Sequence, residues 1–589
     1  MKLGALLSGG KDSLLATCHA AYMQHTIECI LHLETSKEVD SFLIQSVGSN
    51  YVKAIAKAMA VPYIGQPTSG IATEKDLYIS EIKEDDETND LYTLIKNAKA
   101  KFNLEGIISG AIESDYQRLR IEFICLKLGL TSFAPLWKSK SETLFKELSI
   151  VDSSIVKVSS MGLDKTHIGK NVVAIKEELM TLHSKYQSHP LGEGGEFETF
   201  TTYCPLFKQQ LELDYEVIDE GQSCFAKINN CSLVPITSVK SLDVLRETRD
   251  FYSKENTYKV AIKEPSSSVI LNEFNPSFNS YGPYSTVNNF FIYHKSEFNA
   301  DAQYGLEQLK SFLKENKVQV EDLLIVHVYI QNMGLFGQFN ALYGKLFTIK
   351  PPTRACVQAT LPKNVLAKID IILTKNPNKQ VMHVASVSHK YPANIGPYSQ
   401  CQKPLFESAI SFIAGQVGFV PIKLAYPGCS DAKEATLMQN KYSTAHVVSI
   451  CEEMKLYPAS GVCFVRDSQL SQQVISTFTK EFSYIPAFTV QVERLPKDGE
   501  VEWLCLGTEK QQNFTKVDLK QAVEYKSEQI RIVLGHGDCK QHLKQKMTNL
   551  FVKNVDWETM KGVTAFIVPV NEITMDKTYD YAFVEALVN

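Results

Sequence analysis

The sequence predicts an α/β protein: a doubly wound parallel sheet at the N-terminal end, followed by two smaller, repeated α+β domains. Three observations carry that expectation. Over the first 200 or so of the 589 residues, short apolar runs alternate with segments of helical periodicity. Around 235–260 the pattern gives way to charged, turn-rich sequence. An internal repeat then begins: YGPYS (281–285) returns as IGPYS (395–399), and PPTRACVQATLP (351–362) returns as IPAFTVQVERLP (485–496).

Leu3 to Leu7 form a short strand that stops at Ser8-Gly9-Gly10, and Leu14, Leu15, Cys18, Ala21 and Tyr22 then recur at helical spacing. IECILHLE (27–34) is a second strand, Val47, Tyr51, Ile55 and Met59 mark a helix, and VPYIGQP is a third strand. The segment 86–102 is helical, EGIISGAI (105–112) is a fourth strand, and 115–130 is a helix closed by Gly129. Strands separated by helices need crossovers, so the sheet is parallel. Such sheets bind ligands beyond the carboxyl ends of their strands, where the Ser8–Ser13 turn falls. The expected domains are 1–235, 255–375, 383–508 and a tail, 509–589. Each repeat holds a helix, a strand and a further helix. The first copy is about 20 residues shorter, a deficit assigned to the ISFIAGQVGFVP segment (410–421) of the second. In the tail, QIRIVLGHG and VTAFIVPV flank a helix without a readable motif.

Composition narrows the function. Hydrophobic residues at 44% against 22% charged exclude large-scale disorder. A net charge of −5 argues against stable nucleic-acid binding. No apolar run approaches the roughly 18 residues that span a bilayer, so no membrane partner is expected. The opening Met1-Lys2 enters a strand directly, without a signal peptide, and thirteen cysteines include no CxxC pair. Together these place the chain in the cytoplasm with reduced thiols.

Strand, glycine turn and helix bring free amides and a positive helix end to one point, an anion site. A Walker A loop would need glycine at Ala5 and Ser or Thr at Asp12, and GxGxxG spacing fails around Gly9 and Gly10. What remains, Ser8-Gly9-Gly10-Lys11-Asp12-Ser13, resembles the PP-loop of ATP pyrophosphatases, which split ATP into AMP and pyrophosphate. Gly9 and Gly10 let the backbone close on pyrophosphate, Lys11 neutralises it, Ser8 and Ser13 offer hydroxyls, and Asp12 is placed to hold Mg²⁺. His32 and Glu34, ending the second strand, lie where such folds place the nucleoside.

A second glycine-rich stretch, HPLGEGGEFETF (189–200), gathers Glu193, Glu196 and Glu198 with Gly192, Gly194 and Gly195. It is either a site or a solvated loop. Upstream, 109–137 carries Asp115, Tyr116, Arg118 and Arg120 after a strand end; Arg118 and Glu122 are one turn apart and could simply pair. In this order, SGGKDS, GAIESDYQRLRIE and EGGEFET resemble the diphthine–ammonia ligase family, and the fused tandem repeat resembles its eukaryotic form. The resemblance covers the chain apart from its tail. It implies a PP-loop (HUP-like) domain that uses ATP and Mg²⁺ to amidate diphthine on elongation factor 2 with ammonium, giving diphthamide. It also implies catalytic roles for Lys11, Asp12, Glu193, Glu196 and Glu198. Asp115, Tyr116, Arg118 and the 193–198 segment (Glu193, Gly194, Gly195, Glu196, Phe197, Glu198) would bind substrate, the acids with Phe197 or Tyr203 facing the trimethylammonium group.

The repeats resemble Rid domains, trimeric chorismate-mutase-like proteins that hydrolyse imines and release ammonia, using an arginine to clamp a carboxylate. The first copy has Arg354 and a following acid, Asp370; the second has Phe488 where Arg354 aligns. Docking or structural roles and a composite ammonia-releasing site both remain open. GHGDCKQH (535–542) spaces His536, Cys539 and His542 as zinc ligands could be, without an evident fourth. The alternatives to a ligase are a PP-loop enzyme that adenylates tRNA bases and a non-catalytic translation-factor scaffold.

Overall fold

The computed structural model describes the chain except residues 36–44, 46, 160–161, 222, 250–283, 288–289, 294–297, 300–301, 316, 348–349, 360, 362–364, 375–376, 406–408, 519–521, 527–529, 536–547, 554–565, 571, 576–577, 580 and 587–589. The 536–542 part of the zinc-like segment and the expected tail helix lie outside the described residues. The chain forms two compact bodies, Met1–Glu255 with Ala385–Ala393, and Asn256–Val384 with Asn394–Asn589. Among the described residues no helix is long and apolar enough to cross a membrane.

In the first body, β1 (Lys2–Leu6), α1 (Lys11–Tyr22), β2 (Thr26–Glu34), α2 (Val52–Met59), β3 (Tyr63–Pro67), α3 (Glu87–Phe102), β4 (Gly106–Ile108), α4 (Asp115–Leu128) and β5 (Thr131–Phe133) alternate as the periodicity predicts. The strands pair in parallel in the order β3-β2-β1-β4-β5. The caps are legible in the sequence. The Asp86 carboxylate accepts from Thr88 N at the start of α3, Ser114 does the same for Gln117 N at α4, and Gly129 ends α4 at φ +62°. Leu94, Ile95 and Ala98 of α3 pack with Leu31 of β2, Ile107 of β4 and Ile124 of α4, each buried leucine or isoleucine worth about 1.5–3 kcal/mol. Strand order reverses at β1 beside β4, and the Ser8–Ser13 turn leaves β1 at that switch point.

After α5 (Ser141–Glu147), the body changes character. β6 (Asp152–Val158), β7 (Phe197–Tyr203), β8 (Gln210–Asp219) and β9 (Cys224–Val234) form an antiparallel sheet in the order β7-β6-β9-β8, with α6 (Lys176–Tyr186) before β7 and α7 (Asp243–Arg249) after β9. The helix–strand alternation does not extend to this sheet, although β8 alternates Leu211, Leu213, Tyr215 and Val217 with acids in the period of a strand. Residues 385–393, between the repeats in sequence, belong to this body: Val387 bridges Phe133 in parallel beside β5.

The second body opens with β10 (Tyr284–Val287), β11 (Phe290–Tyr293), β12 (Phe298–Asn299), α8 (Ala302–Glu315), β13 (Leu323–Ile330), α9 (Phe336–Leu346), β14 (Thr353–Gln358) and β15 (Val365–Thr374), sheet order β10-β11-β15-β13-β14. The second repeat follows with β16 (Lys379–Met382), β17 (Cys401–Pro404), β18 (Ser411–Val417), α10 (Ala432–Met454), β19 (Tyr457–Val465), α11 (Ser471–Glu481), β20 (Ala487–Gln491) and β21 (Val501–Thr508). Here the length difference is relocated. The 411–417 strand has its counterpart in β11, since each pairs antiparallel with the return strand of its sheet. Nine residues of the extra length lie in α10, 23 residues against 14 in α8. The tail contributes β22 (Thr515–Asp518), β23 (Ala522–Lys526), β24 (Ile530–Gly535), β25 (Thr548–Lys553), β26 (Phe566–Val570), β27 (Glu572–Thr574), β28 (Thr578–Tyr579) and β29 (Tyr581–Ala586).

Candidate active site

The turn after β1 is built for close approach. Gly9 sits at φ +93°, where a Cβ would meet the Phe200 ring at 3.3 Å. Gly10 caps α1, and its amide donates to Ser8 Oγ at 3.3 Å. Ser13 Oγ donates back to the Gly10 carbonyl at 3.1 Å. Lys11 is buried; its ammonium pairs with Asp12 at 2.8 Å and lies 5.4 Å from the Phe197 ring. Asp12 Oδ1 is buried without a hydrogen-bond partner, an orphaned oxygen in the first turn of α1. Gly110, after β4, presses on this helix start: a Cβ there would lie 2.6 Å from Ser13 N, so only glycine lets β4 approach.

The second glycine-rich stretch reaches the turn through β7. Lys11 N donates to Thr199 Oγ1 at 3.1 Å, and Thr201 N to the Gly9 carbonyl at 2.9 Å. Gln45 Nε2 donates to the Thr199 carbonyl at 2.6 Å, while Val47 N donates to Glu198. Sequence reading missed Thr199, Thr201, Gln45, Val47, Phe200 and Gly110. None bears a charge, and their roles exist only once strands 188 residues apart meet.

The three glutamates are brought together with unlike tasks. Glu196 is buried, and its two oxygens accept from His189 N (2.5 Å) and Gly194 N (2.8 Å), bracing its own loop. Gly192 and Gly195 make that loop possible at φ +79° and +83°. Glu198 accepts from Val47 N at 3.0 Å and pairs with Lys157 at 3.4 Å. Among the described residues Glu193 accepts one bond, from Glu113 N at 3.3 Å, and burial, reinforced by the Asp12 charge, pushes its carboxyl up to about 7. Because its folded value lies above the ordinary 4.5, the folded state binds the extra proton, and stability falls as pH rises from about 4.5 to about 7. A Glu193→Gln chain is expected to gain stability over wild type across that window and hold the gain at pH 8. Thermal melts of the two chains at stepped pH check this; a constant offset removes the assignment.

The other expected residues are placed as follows. His32 is buried, with Nδ1 on the Leu7 carbonyl and Nε2 on Ser49 Oγ, both 2.8 Å, and burial lowers its pKa. Both nitrogens thus serve the loop. Glu34 accepts from Tyr63 Oη at 2.8 Å at the exposed end of β2. Tyr116 Oη reaches the Glu74 carbonyl and Glu87, under the Arg120 guanidinium at 4.2 Å. Arg118 is buried over Trp137 (4.2 Å), donating to Asp115 at 3.0 Å and Glu122 at 2.6 Å. Glu122 Oε1 also accepts from Ala385 N (3.1 Å) and Ser386 N (2.7 Å), tying in the 385–393 strap.

In the second body, Arg354 pairs in parallel with Val326 and turns to the helix side of its sheet, whereas Phe488, paired with Val462, lies in the core the sheets share, so the two motif-aligned residues sit on opposite faces. Buried Arg354 donates to Asn340 Oδ1 at 2.8 Å beneath the rings of Tyr343, Tyr398 and Phe336, and Gly396 lies against its Nη2. The acid that interacts with Arg354 is Glu502 of the second copy. By register Glu502 opposes Phe464 as Lys368 opposes Tyr329, so the first copy has a lysine at that place. Glu502 is buried with Oε2 unpartnered, its carboxyl raised to about 8 by burial against the pull of Arg354. One copy supplies the cation and the other the acid. Among the described residues no group of His, Cys, Asp or Glu could by itself hold a metal.

Residues 1–132 match the model of the diphthamide synthase N-terminal domain, 140–234 that of its C-terminal domain, and 286–375 that of endoribonuclease L-PSP. The chain is 30% identical to a diphthine–ammonia ligase of Schizosaccharomyces pombe, over 86% of this chain and 87% of that one. It is 27% identical to the Saccharomyces cerevisiae enzyme, over 81% and 77%. The human enzyme is 38% identical over 39% of this chain and 89% of its own length. With identity sustained across ligase domain and repeats alike, the chain belongs to the diphthine–ammonia ligase family.

Proposed function

We propose that this chain amidates diphthine on elongation factor 2, using ATP and ammonia and releasing AMP and pyrophosphate. The supporting observation is the Ser8–Ser13 turn at the β1/β4 switch point, with β7 clamped to it through Thr199 and Thr201. A carboxylate resists ammonia until its oxygen becomes a leaving group. The diphthine carboxylate attacks the α-phosphorus, the bond to the β-phosphate oxygen breaks, and pyrophosphate leaves toward the amides of the turn and Lys11. Ammonia then attacks the acyl carbon, loses a proton and displaces AMP. The orphaned Asp12 Oδ1 suits Mg²⁺, which would supply charge neutralisation on the phosphates. Glu193, the least committed of the three glutamates, faces the trimethylammonium group, whose charge would favour its ionised form. Glu196 and Glu198 act through the loop. Purified chain given ATP, ammonium and unamidated elongation factor 2 is expected to yield AMP, pyrophosphate and amidated factor; ADP and orthophosphate would overturn the reading.

For the repeats, Arg354 and Glu502 in one buried space favour chemistry over a purely structural role. A small imine bearing a carboxylate, clamped by Arg354 and hydrolysed to a carbonyl compound and ammonia, would feed the ligase. With such an imine supplied as the nitrogen source, an Arg354→Ala chain is then expected to amidate normally at saturating ammonium and at least about tenfold more slowly when ammonium is limiting, a tenfold loss being 1.4 kcal/mol. Equal rates at both concentrations would sink this role.

A further inference from the structure

The tail carries no motif of the repeats, yet its strands reproduce their topology. In the first repeat β11 pairs antiparallel with β15, β15 antiparallel with β13, and β13 parallel with β14. In the second, β18, β21, β19 and β20 pair in the same order and senses. In the tail, β24, β29, β25 and β26 do so again. A hairpin partner lies outside each set: β10, β17 and β23. Chain order also agrees: hairpin, inner strand, its parallel neighbour, then a return strand inserted between hairpin and inner strand. One parallel pair at the edge of an otherwise antiparallel sheet, three times over, is a specific arrangement, since antiparallel neighbours can be joined by tight turns and parallel ones cannot.

The three sheets also bury their apolar faces in one core. Tyr329, Ala355 and Val357 come from the first, Val462, Phe464, Phe488 and Val490 from the second, and Ile532, Leu534 and Ala582 from the tail. The link from second sheet to tail is covalently continuous and hydrogen-bonded: β27 pairs antiparallel with β20, Gln491 opposite Glu572. A repeat that cannot bury its inner face alone needs neighbours, and here the neighbours are in the same chain.

We infer that residues 515–586 are a third copy of the repeated fold, and that the three copies close on one another within a single chain. The copies are chemically unequal. The parallel edge strands of the second copy, Ala487–Gln491, and of the tail, Phe566–Val570, carry no arginine. Closure within the chain therefore leaves one arginine-bearing seam, between the first and second copies, rather than three equivalent ones. The tail's part is to complete the core on which that seam is built.

The test is a full-length Gln491→Cys/Glu572→Cys chain, oxidised and run on a non-reducing gel, with wild type weighed in solution by light scattering. The expected result is a disulfide within one chain, found by mass spectrometry as a joined peptide pair from a monomer band, and a solution mass of one chain through this body. Covalent dimers or larger species, or a three-chain mass that dissolves on mutating Ile532 to Asp, would mean that copies close between chains. Absence of the cross-link in folded protein would mean that β27 does not join β20. Either result overturns the inference.

Discussion

An Asp12→Asn chain is expected to fold normally and to lose ATP–pyrophosphate exchange by about 10²–10³-fold, the scale on which removing one electrostatic contact to a developing charge acts. The substitution keeps the shape of the side chain in the first turn of α1, so the helix loses only the dipole contribution of an acid there, about 0.3–1 kcal/mol. What disappears is the charge that pairs with Lys11 at 2.8 Å and the orphaned Oδ1 offered to a cation. Unfolding midpoints alongside exchange rates separate the two effects. Exchange within a few-fold of wild type would remove Asp12 from the chemistry.

A Glu122→Ala chain is expected to be destabilised by about 3–5 kcal/mol, because it leaves the Arg118 charge buried and strips the acceptor from two backbone amides. Glu122→Gln keeps an acceptor of the same shape and should cost less, about 1–3 kcal/mol. Urea titration of both chains against wild type measures the difference. If the alanine chain proved as stable as the glutamine chain, the Arg118–Glu122–strap network would be incidental. The network also explains why Arg118, promising as a substrate ligand in the sequence, contacts acids of its own helix and the Trp137 ring.

What the sequence disclosed and what it hid divide by physical range. The phosphate turn was readable because its glycines, lysine and acid are consecutive, and local geometry needs nothing else. The caps Asp86, Ser114 and Gly129 were readable for the same reason. The glutamate cluster was readable as a cluster, but not the split between a carboxyl that braces its own loop, Glu196, and one left with a single long bond, Glu193. Thr199 and Gln45 were invisible, since an uncharged side chain acquires a role only through a partner far along the chain. Glu502 was hidden because an acid was sought after Arg354 in the same copy, whereas the acid that interacts with it comes from the other copy. The tail was hidden because its topology outlives its motifs.

The placing of the arginine and the acid on different repeats has a genetic corollary. Duplication ordinarily leaves a spare, but the second copy's edge strand, Ala487–Gln491, has no arginine, and the first copy has Lys368 at the register place of Glu502. Neither repeat is therefore a backup for the other. A lesion at 354 or at 502 has no understudy.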